Sequence, residues 1–290
     1  MQSDKPSCKL GPLFFLKHTM TSSMAFIGGG NMASAIIGGL LKQGMRPEQI
    51  LVVEPFQEAR TRLKELFGIE ALSAPDATLE RANLVVWAVK PQTFKDAALQ
   101  TKAFTAKALH LSVAAGIRSD SIAAWLGTER IIRCMPNTPA LIGQGMTALV
   151  ARDGVTAADR HWAGEVIATT GQFLWLEREE QLDAVTAISG SGPAYMFYFM
   201  EAMTAAGAEM GLSAEQAYQL AVATFIGAGE LARASTEPPE VLRQRVTSKG
   251  GTTYAAITSM DESGIKDRFV KALHAARDRA REMGDEFGAA

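Results

Sequence analysis

From residue 24 to residue 135 the chain alternates short, unbroken apolar runs with longer stretches of helical periodicity. The runs fall at 24–28, 50–54, 84–89, 108–113 and 130–135, and helical patterns over 32–41 and 57–67 follow the first two. Unbroken apolar runs, rather than strict alternation, mark strands buried on both faces, as in a parallel sheet covered by helices. Strands that alternate with helices of about ten residues form βαβ units, so this part of the chain is predicted to be α/β. Around Asp183 the pattern changes, and from there to Ala290 it holds helical periodicity punctuated by glycine, with no strand. The stretch 184–210 contains two acids, Glu201 and Glu209, and is otherwise uncharged. A helix apolar on most faces must be buried on most faces, and a half-chain this small has too little material to cover it. A second subunit is the natural cover, so residues 182–290 are expected to form an all-helical dimerisation and substrate domain behind an α/β domain at 23–181.

Composition narrows the class. Two hundred and ninety residues make two domains of ordinary size. Hydrophobic residues at 47% and charged residues at 21% suit a chain that buries a real core. A net charge of -2 argues against nucleic acid or an anionic membrane surface as partner. Two cysteines, Cys8 and Cys134, without CxxC or Cys/His spacing, give no disulfide framework and no visible metal site. Leu13-Phe14-Phe15-Leu16 is too short for a signal-peptide core or a membrane span. Residues 1–22 are therefore expected to be a disordered extension ahead of a start at Met20 or Met24, and the address cytoplasmic.

The first chemical signal is Gly28-Gly29-Gly30-Asn31-Met32-Ala33, a G-x-G-x-x-A between an apolar strand and a helix. The first glycine allows the tight turn, the second lets backbone approach a pyrophosphate, and the small third residue lets helix pack on strand. Free N–H groups at the helix start face the phosphate. With a second strand ending in Glu54, the pattern predicts a Rossmann-type dinucleotide-binding domain. An acid at that strand end bonds the adenosine ribose hydroxyls and repels a 2′-phosphate, which favours NADH over NADPH. Arg60 and Arg62 lie a turn or two downstream and can accommodate a phosphate, so the preference between the two cofactors stays open. Three further strand ends, 88–91, 113–116 and 135–139, carry small, proline or polar residues where a ligand crosses a parallel sheet.

Other constellations are missing. There is no Walker loop or HExxH, and Ser189-Gly190-Ser191-Gly192-Pro193 does not match the G-x-S-x-G nucleophile elbow. The histidines, His18, His110, His161 and His274, avoid strand ends and glycine loops and are read as structural or surface groups. Hydride transfer to a carbonyl needs a proton donor for the developing alkoxide, whereas an imine that binds protonated needs none, so the chain points toward a C=N substrate. Near the C-terminus, Val246-Thr247-Ser248-Lys249-Gly250-Gly251-Thr252-Thr253-Tyr254 precedes a helix expected to start near Tyr254. Thr252 or Thr253 can cap that helix, and its N–H groups suit a carboxylate; a plain helix–helix turn accounts for the same residues.

The stretches 26–33, 88–91, 135–140, 183–195 and 246–253 come in one order that closely resembles the pyrroline-5-carboxylate reductase family of proline biosynthesis. The resemblance spans residues 24 to about 284 and implies reduction of L-1-pyrroline-5-carboxylate to L-proline by NADPH or NADH, with NADPH the family default. Carried over by position, it implies that Gly28, Gly30, Asn31, Met32 and Ala33 hold the pyrophosphate, and Glu54 the ribose. Ala88, Val89, Lys90, Pro91, Ala114, Ala115 and Gly116 line the adenosine–nicotinamide track, with Asn137 near the nicotinamide. Ser248, Gly251, Thr252 and Thr253 receive the substrate carboxylate, and the Thr253 hydroxyl, as the catalytic candidate, sits by the ring nitrogen. The family further implies a homodimer or higher homo-oligomer in which one subunit's substrate loop meets the other's cofactor domain. Three positions depart from the pattern: Lys249 for a proline, Arg245 where some members have asparagine, and Glu54 for a small hydroxyl residue.

Two other readings stay open at this level. One is an oxidoreductase of β-hydroxyacid-dehydrogenase type acting on C=O, for which Lys249 is the available loop lysine. The other is a non-catalytic dinucleotide sensor, which has no use for the glycine–threonine turn.

Overall fold

The computed structural model describes residues 22–288, so the expectation for the N-terminal extension lies, Ser22 apart, outside the described residues. Seven strands form one sheet: β1 (Ser23–Ile27), β2 (Ile50–Val53), β3 (Ala82–Trp87), β4 (Leu109–Ser112), β5 (Ile131–Met135), β6 (Gly145–Ala151) and β7 (Gly171–Trp175). Their order is β2-β1-β3-β4-β5-β6-β7, with every neighbouring pair parallel except antiparallel β5–β6. Helices α1 (Asn31–Lys42), α2 (Gln57–Phe67), α3 (Pro91–Thr105), α4 (Ser119–Leu126) and α5 (Ala157–Ala168) accompany it. The α/β reading is met. The apolar runs account for five strands, and β6 and β7 extend the sheet beyond them. Strand β7, Gly-Gln-Phe-Leu-Trp, is half exposed at the sheet edge, so it lacks the continuous apolar signature of a buried strand.

Strand residues divide by parity between two cores. Met24, Phe26, Leu84, Val86, Leu109 and Leu111 pack on one face, while Ala25, Ile27, Val85 and Trp87 pack on the other. All four residues from Leu84 to Trp87 are fully buried, which is why the sequence there runs apolar without interruption. Trp87 stacks on Phe94 with ring centroids 5.1 Å apart, and its indole N–H donates to Nδ1 of His110 at 3.0 Å. His110 is thus a core hydrogen-bond acceptor, and burial pushes its pKa down to about 4. His161 lies on α5, 3.4 Å from Glu165. Burial likewise raises the Cys134 thiol well above its ordinary range, so it stays protonated and unreactive.

The start of α4 has no side-chain cap of its own from Arg118. The Glu179 carboxylate, distant in sequence, replaces it. It accepts the Ser119 backbone N–H at 2.7 Å and the Ser119 hydroxyl, and pairs with the buried Arg133 at 2.7 Å. Where sequence suggests one apolar stretch at 184–210, the chain forms α6 (Gln181–Val185), a π-helical turn over Thr186–Gly190, and then α7 (Gly192–Glu209). Pro193 at the start of α7 cannot continue a preceding helix, which accounts for the break.

The chain divides into two compact units, one reaching Gly190 and also taking in the segment from Asp278, the other being Ser191–Arg277. The second unit is helical: α7, α8 (Ala214–Ala234), α9 (Pro239–Arg245), α10 (Thr252–Glu262) and the first turns of α11 (Ile265–Gly288), which carries His274. Helix α8 begins with a reciprocal capping box between Ser213 and Gln216. Phe269 packs edge-on against Tyr195 and Phe199, each at 5.7 Å. Yet Gly207 is the one buried residue of α7, and Phe197, Tyr198, Leu220, Ile226 and Leu231 are all more than half exposed. Large apolar side chains exposed in this number are typical of surfaces that pack against another protein. Among the described residues no helix is long and apolar enough to cross a membrane, and no group of three or more His, Cys, Asp or Glu is gathered as for a metal ion.

Candidate functional site

The strand order reverses around β1, which lies between β2 and β3. In a doubly wound sheet that reversal opens the crevice where ligands bind. The glycine loop leaves β1 at this point. Gly28 has φ +95°, and a Cβ there would stand 2.5 Å from the Ala88 carbonyl oxygen at the end of β3. Its N–H donates to Val53 at the end of β2, while the Ala88 N–H donates to Ile27, both at 2.8 Å. Three strand ends are thereby locked into one lip.

Gly30 differs. It takes an ordinary extended φ of -73°, serves as N-cap of α1 without a side-chain cap, and a Cβ there would meet nothing within 4 Å. Asn31, Met32 and Ala33 form the first turn, and Ala33 is fully buried against the core. An uncapped helix start beside open space is a ready anion site.

Glu54 stands 6% exposed at the end of β2, turned toward this loop. Its Oε2 accepts the Gly29 N–H at 2.8 Å and its Oε1 the Phe56 N–H at 3.0 Å. Beside it the Arg60 guanidinium donates to the backbone carbonyls of Glu54 and Pro55, at 2.9 and 2.7 Å. A Cβ at Gly28 would also stand 3.1 Å from Val89 Cγ1, exposed Lys90 is the N-cap of α3, and Pro91 occupies its first turn. At the next strand end the Ala114 N–H lies 3.4 Å from the Ser112 hydroxyl. Ala115 and Gly116 follow, and Gly116 has φ +72°. The Asn137 side chain is engaged at both ends: Nδ2 donates to the Ser189 carbonyl at 3.1 Å, and Oδ1 accepts the Met146 N–H at 2.9 Å. It ties the end of β5, the start of β6 and the π-helical turn together. Those partners lie far away in sequence, so no local pattern announces them.

In the helical unit, the Gly251 N–H donates to the Ser248 carbonyl at 3.0 Å, closing the turn. The expectation of a threonine cap and a start near Tyr254 is corrected. Helix α10 begins at Thr252 with Gly251 as N-cap and no side-chain cap. Thr252 and Thr253 therefore lie in the first turn, exposed, with neither hydroxyl engaged as a cap. Exposed Lys249 is part of the same turn, and Arg245 is paired with Glu237 at 2.6 Å.

A family model described as pyrroline-5-carboxylate reductase dimerisation matches residues 179–283, and one described as NADP oxidoreductase, coenzyme F420-dependent, matches residues 23–116. A pyrroline-5-carboxylate reductase of Pseudomonas aeruginosa is 45% identical over 271 residues, 92% of this chain and 99% of that protein. A solved structure of a pyrroline-5-carboxylate reductase from Coxiella burnetii superimposes with TM-score 0.84 at 36% identity, covering 91% of this chain and 98% of that one. That of a Plasmodium falciparum pyrroline carboxylate reductase with NADP bound gives TM-score 0.81 at 26% identity, covering 91% and 98%. The chain belongs to the pyrroline-5-carboxylate reductase family.

Proposed function

We propose that the chain reduces L-1-pyrroline-5-carboxylate to L-proline with NADPH or NADH as reductant. The observation that carries this reading is the uncapped start of α10, where Gly251, Thr252 and Thr253 present backbone N–H groups and exposed hydroxyls in a chain that also has a dinucleotide crevice. A sensor has no need of that turn, and the family likeness runs through both features.

The crevice suits a dinucleotide: open space at Gly30 and the uncapped first turn of α1 accept a pyrophosphate, while Gly28 and Ala88 leave no room for anything bulkier than backbone. A bound reduced nicotinamide supplies the hydride for the C=N carbon. The chain's own residues do the rest. Gly30, Asn31, Met32 and Ala33 hold the phosphates. Ala88, Val89, Lys90, Pro91, Ala114, Ala115 and Gly116 line the track, and Asn137 braces the strand end near the nicotinamide. The backbone of Gly251 and Thr252, with Ser248, holds the substrate carboxylate. Thr253 Oγ1 hydrogen-bonds the ring nitrogen and keeps its proton in place. An imine that binds protonated requires no histidine acid, consistent with His110 serving as a neutral core group.

The negative charge of Glu54 at the ribose lip favours NADH, and Arg60 beside it allows a 2′-phosphate. A second copy of the chain covers the apolar faces of α7 and α8, making a homodimer or higher homo-oligomer in which the substrate turn of one subunit serves the cofactor domain of another. Support comes from the exposed Phe197, Tyr198, Ile226 and Leu231, and from the family's dimerisation domain.

The test is oxidation of NADPH and NADH in the presence of pyrroline-5-carboxylate, beside a panel of 3-hydroxy acids run in reverse. Turnover of the imine supports the reading. Reverse activity alone moves the protein to C=O chemistry, and dinucleotide binding without either reaction makes it a sensor.

A further inference from the structure

The last turns of α11 lie on the loop that follows β4. A Cβ at Gly116 would meet Met283 Cβ at 3.0 Å, Met283 Cε at 3.2 Å and Phe287 Cδ2 at 3.4 Å, so its three nearest neighbours all belong to this tail. Phe287 packs into the core cluster that contains Trp87 and Ile117. Arg118, at the end of the loop, pairs with Asp285 at 2.5 Å, and the buried Gly284 passes close enough that a Cβ would stand 2.8 Å from Arg118 Nε. The Ser121 hydroxyl lies 3.4 Å from the Gly288 carbonyl. Gly116, Arg118 and Ser121 are thus all held by the last turns of α11.

The loop needs such a support. Its near end is fixed where Val113 donates to Trp87 at 3.0 Å, and its far end where Ile117 is fully buried. Between them Ala115 and Gly116 contribute little or no side chain with which to anchor themselves, and Gly116 is held at φ +72°. Small residues let backbone approach a ligand but leave its position to whatever packs behind it.

We propose that Met283 and Phe287 are positioning residues for the nicotinamide cofactor: by packing behind Gly116 they fix the 114–116 turn at the height at which it meets the dinucleotide. The proposal rests on the reading that this turn lines the cofactor track. Met283→Ala and Phe287→Ala remove the packing, while Met283→Leu keeps its volume. In the full-length enzyme, Met283→Ala is expected to raise the KM for NADPH and NADH about 3–10-fold with kcat changed less than about twofold. The KM for the imine stays put, amide hydrogen exchange over 113–117 speeds up, and Met283→Leu restores both.

Faster exchange with an unchanged cofactor KM in both alanine variants overturns the proposal, as does a fall in kcat alone. Ala115→Leu separates this from failure of the underlying reading. If Ala115→Leu raises the cofactor KM while the tail variants do not, the track is correct and the tail is not its support. If Ala115→Leu also leaves it unchanged, the turn does not carry the cofactor and the proposal falls with that reading.

Discussion

Glu54 and Gly29 are joined by a hydrogen bond of 2.8 Å from the Gly29 N–H to Oε2, which fastens the middle of the glycine loop to the end of β2. The other carboxylate oxygen accepts the Phe56 N–H at 3.0 Å, so one buried acid organises both loops of the lip. Glu54 is an acceptor for both loops and, on the proposed function, also a charge near the ribose. Glu54→Gln keeps one carbonyl acceptor and removes the charge; the ratio of kcat/KM for NADPH to that for NADH is expected to rise about 3–10-fold. Glu54→Ala strands both N–H groups and is expected to cost about 1–3 kcal/mol in urea unfolding, with weaker binding of both nucleotides. An unchanged nucleotide ratio in Glu54→Gln would remove Glu54 from the ribose.

The two motif glycines separate folding from binding. Gly28→Ala forces a side chain into left-handed backbone and against the Ala88 carbonyl, so a loss of more than about 2 kcal/mol of stability or no soluble protein is expected. Gly30→Ala meets empty space at an ordinary φ and is expected to fold within about 1 kcal/mol of wild type, with a cofactor KM raised about tenfold. Thermal unfolding and steady-state kinetics on the pair check this; a Gly30→Ala enzyme with normal KM contradicts the placement of the pyrophosphate.

His110 makes stability depend on pH. Its pKa of about 4 in the folded chain lies below the ordinary 6.5, so between those values the unfolded chain binds more protons. Stability is expected to be full above pH 6.5 and to decline as pH falls toward 4, by up to about 3 kcal/mol. His110→Gln, which keeps an acceptor for Trp87, is expected to flatten that slope. Denaturant midpoints from pH 7 to pH 4 measure it, and parallel slopes in the two proteins would show that His110 protonates freely.

Thr253 is exposed and makes no cap, so the substrate contact proposed for its hydroxyl carries no structural cost. Thr253→Ala is expected to leave the melting temperature within about 1 °C, since surface substitutions of this kind shift stability little. It should lower kcat/KM for the imine by about 10–10³-fold, equivalent to about 1.4–4 kcal/mol of transition-state stabilisation. A wild-type rate excludes Thr253 from the chemistry.

Sequence pattern reveals the parts of this protein whose signal is local. The run Leu84-Val85-Val86-Trp87 declares a strand buried on both faces because parity sends its side chains to two cores. The spacing of Gly28, Gly30 and Ala33 is legible because turn, approach and packing lie within six residues. What escapes it is long-range. The cap of α4 comes from Glu179, and Asn137 joins Ser189 to Met146. The support behind Gly116 arrives from Met283, and none of these pairings alters the pattern near either partner. Strand β7 escapes for another reason: half exposed, it needs no continuous apolar run. The turn at 248–253 shows the limit of capping rules. Threonines after glycines read as caps, whereas the backbone makes Gly251 the N-cap and leaves the hydroxyls free.

The central claim is that a cyclic imine carbon receives hydride directly from nicotinamide. Supplying pyrroline-5-carboxylate with NADPH deuterated at its transferable position, and reading the product by mass spectrometry, tests it most directly. The expected product is L-proline with a single deuterium at C5, in equal amount to the oxidised cofactor formed. Unlabelled proline, or cofactor oxidised without proline, contradicts it.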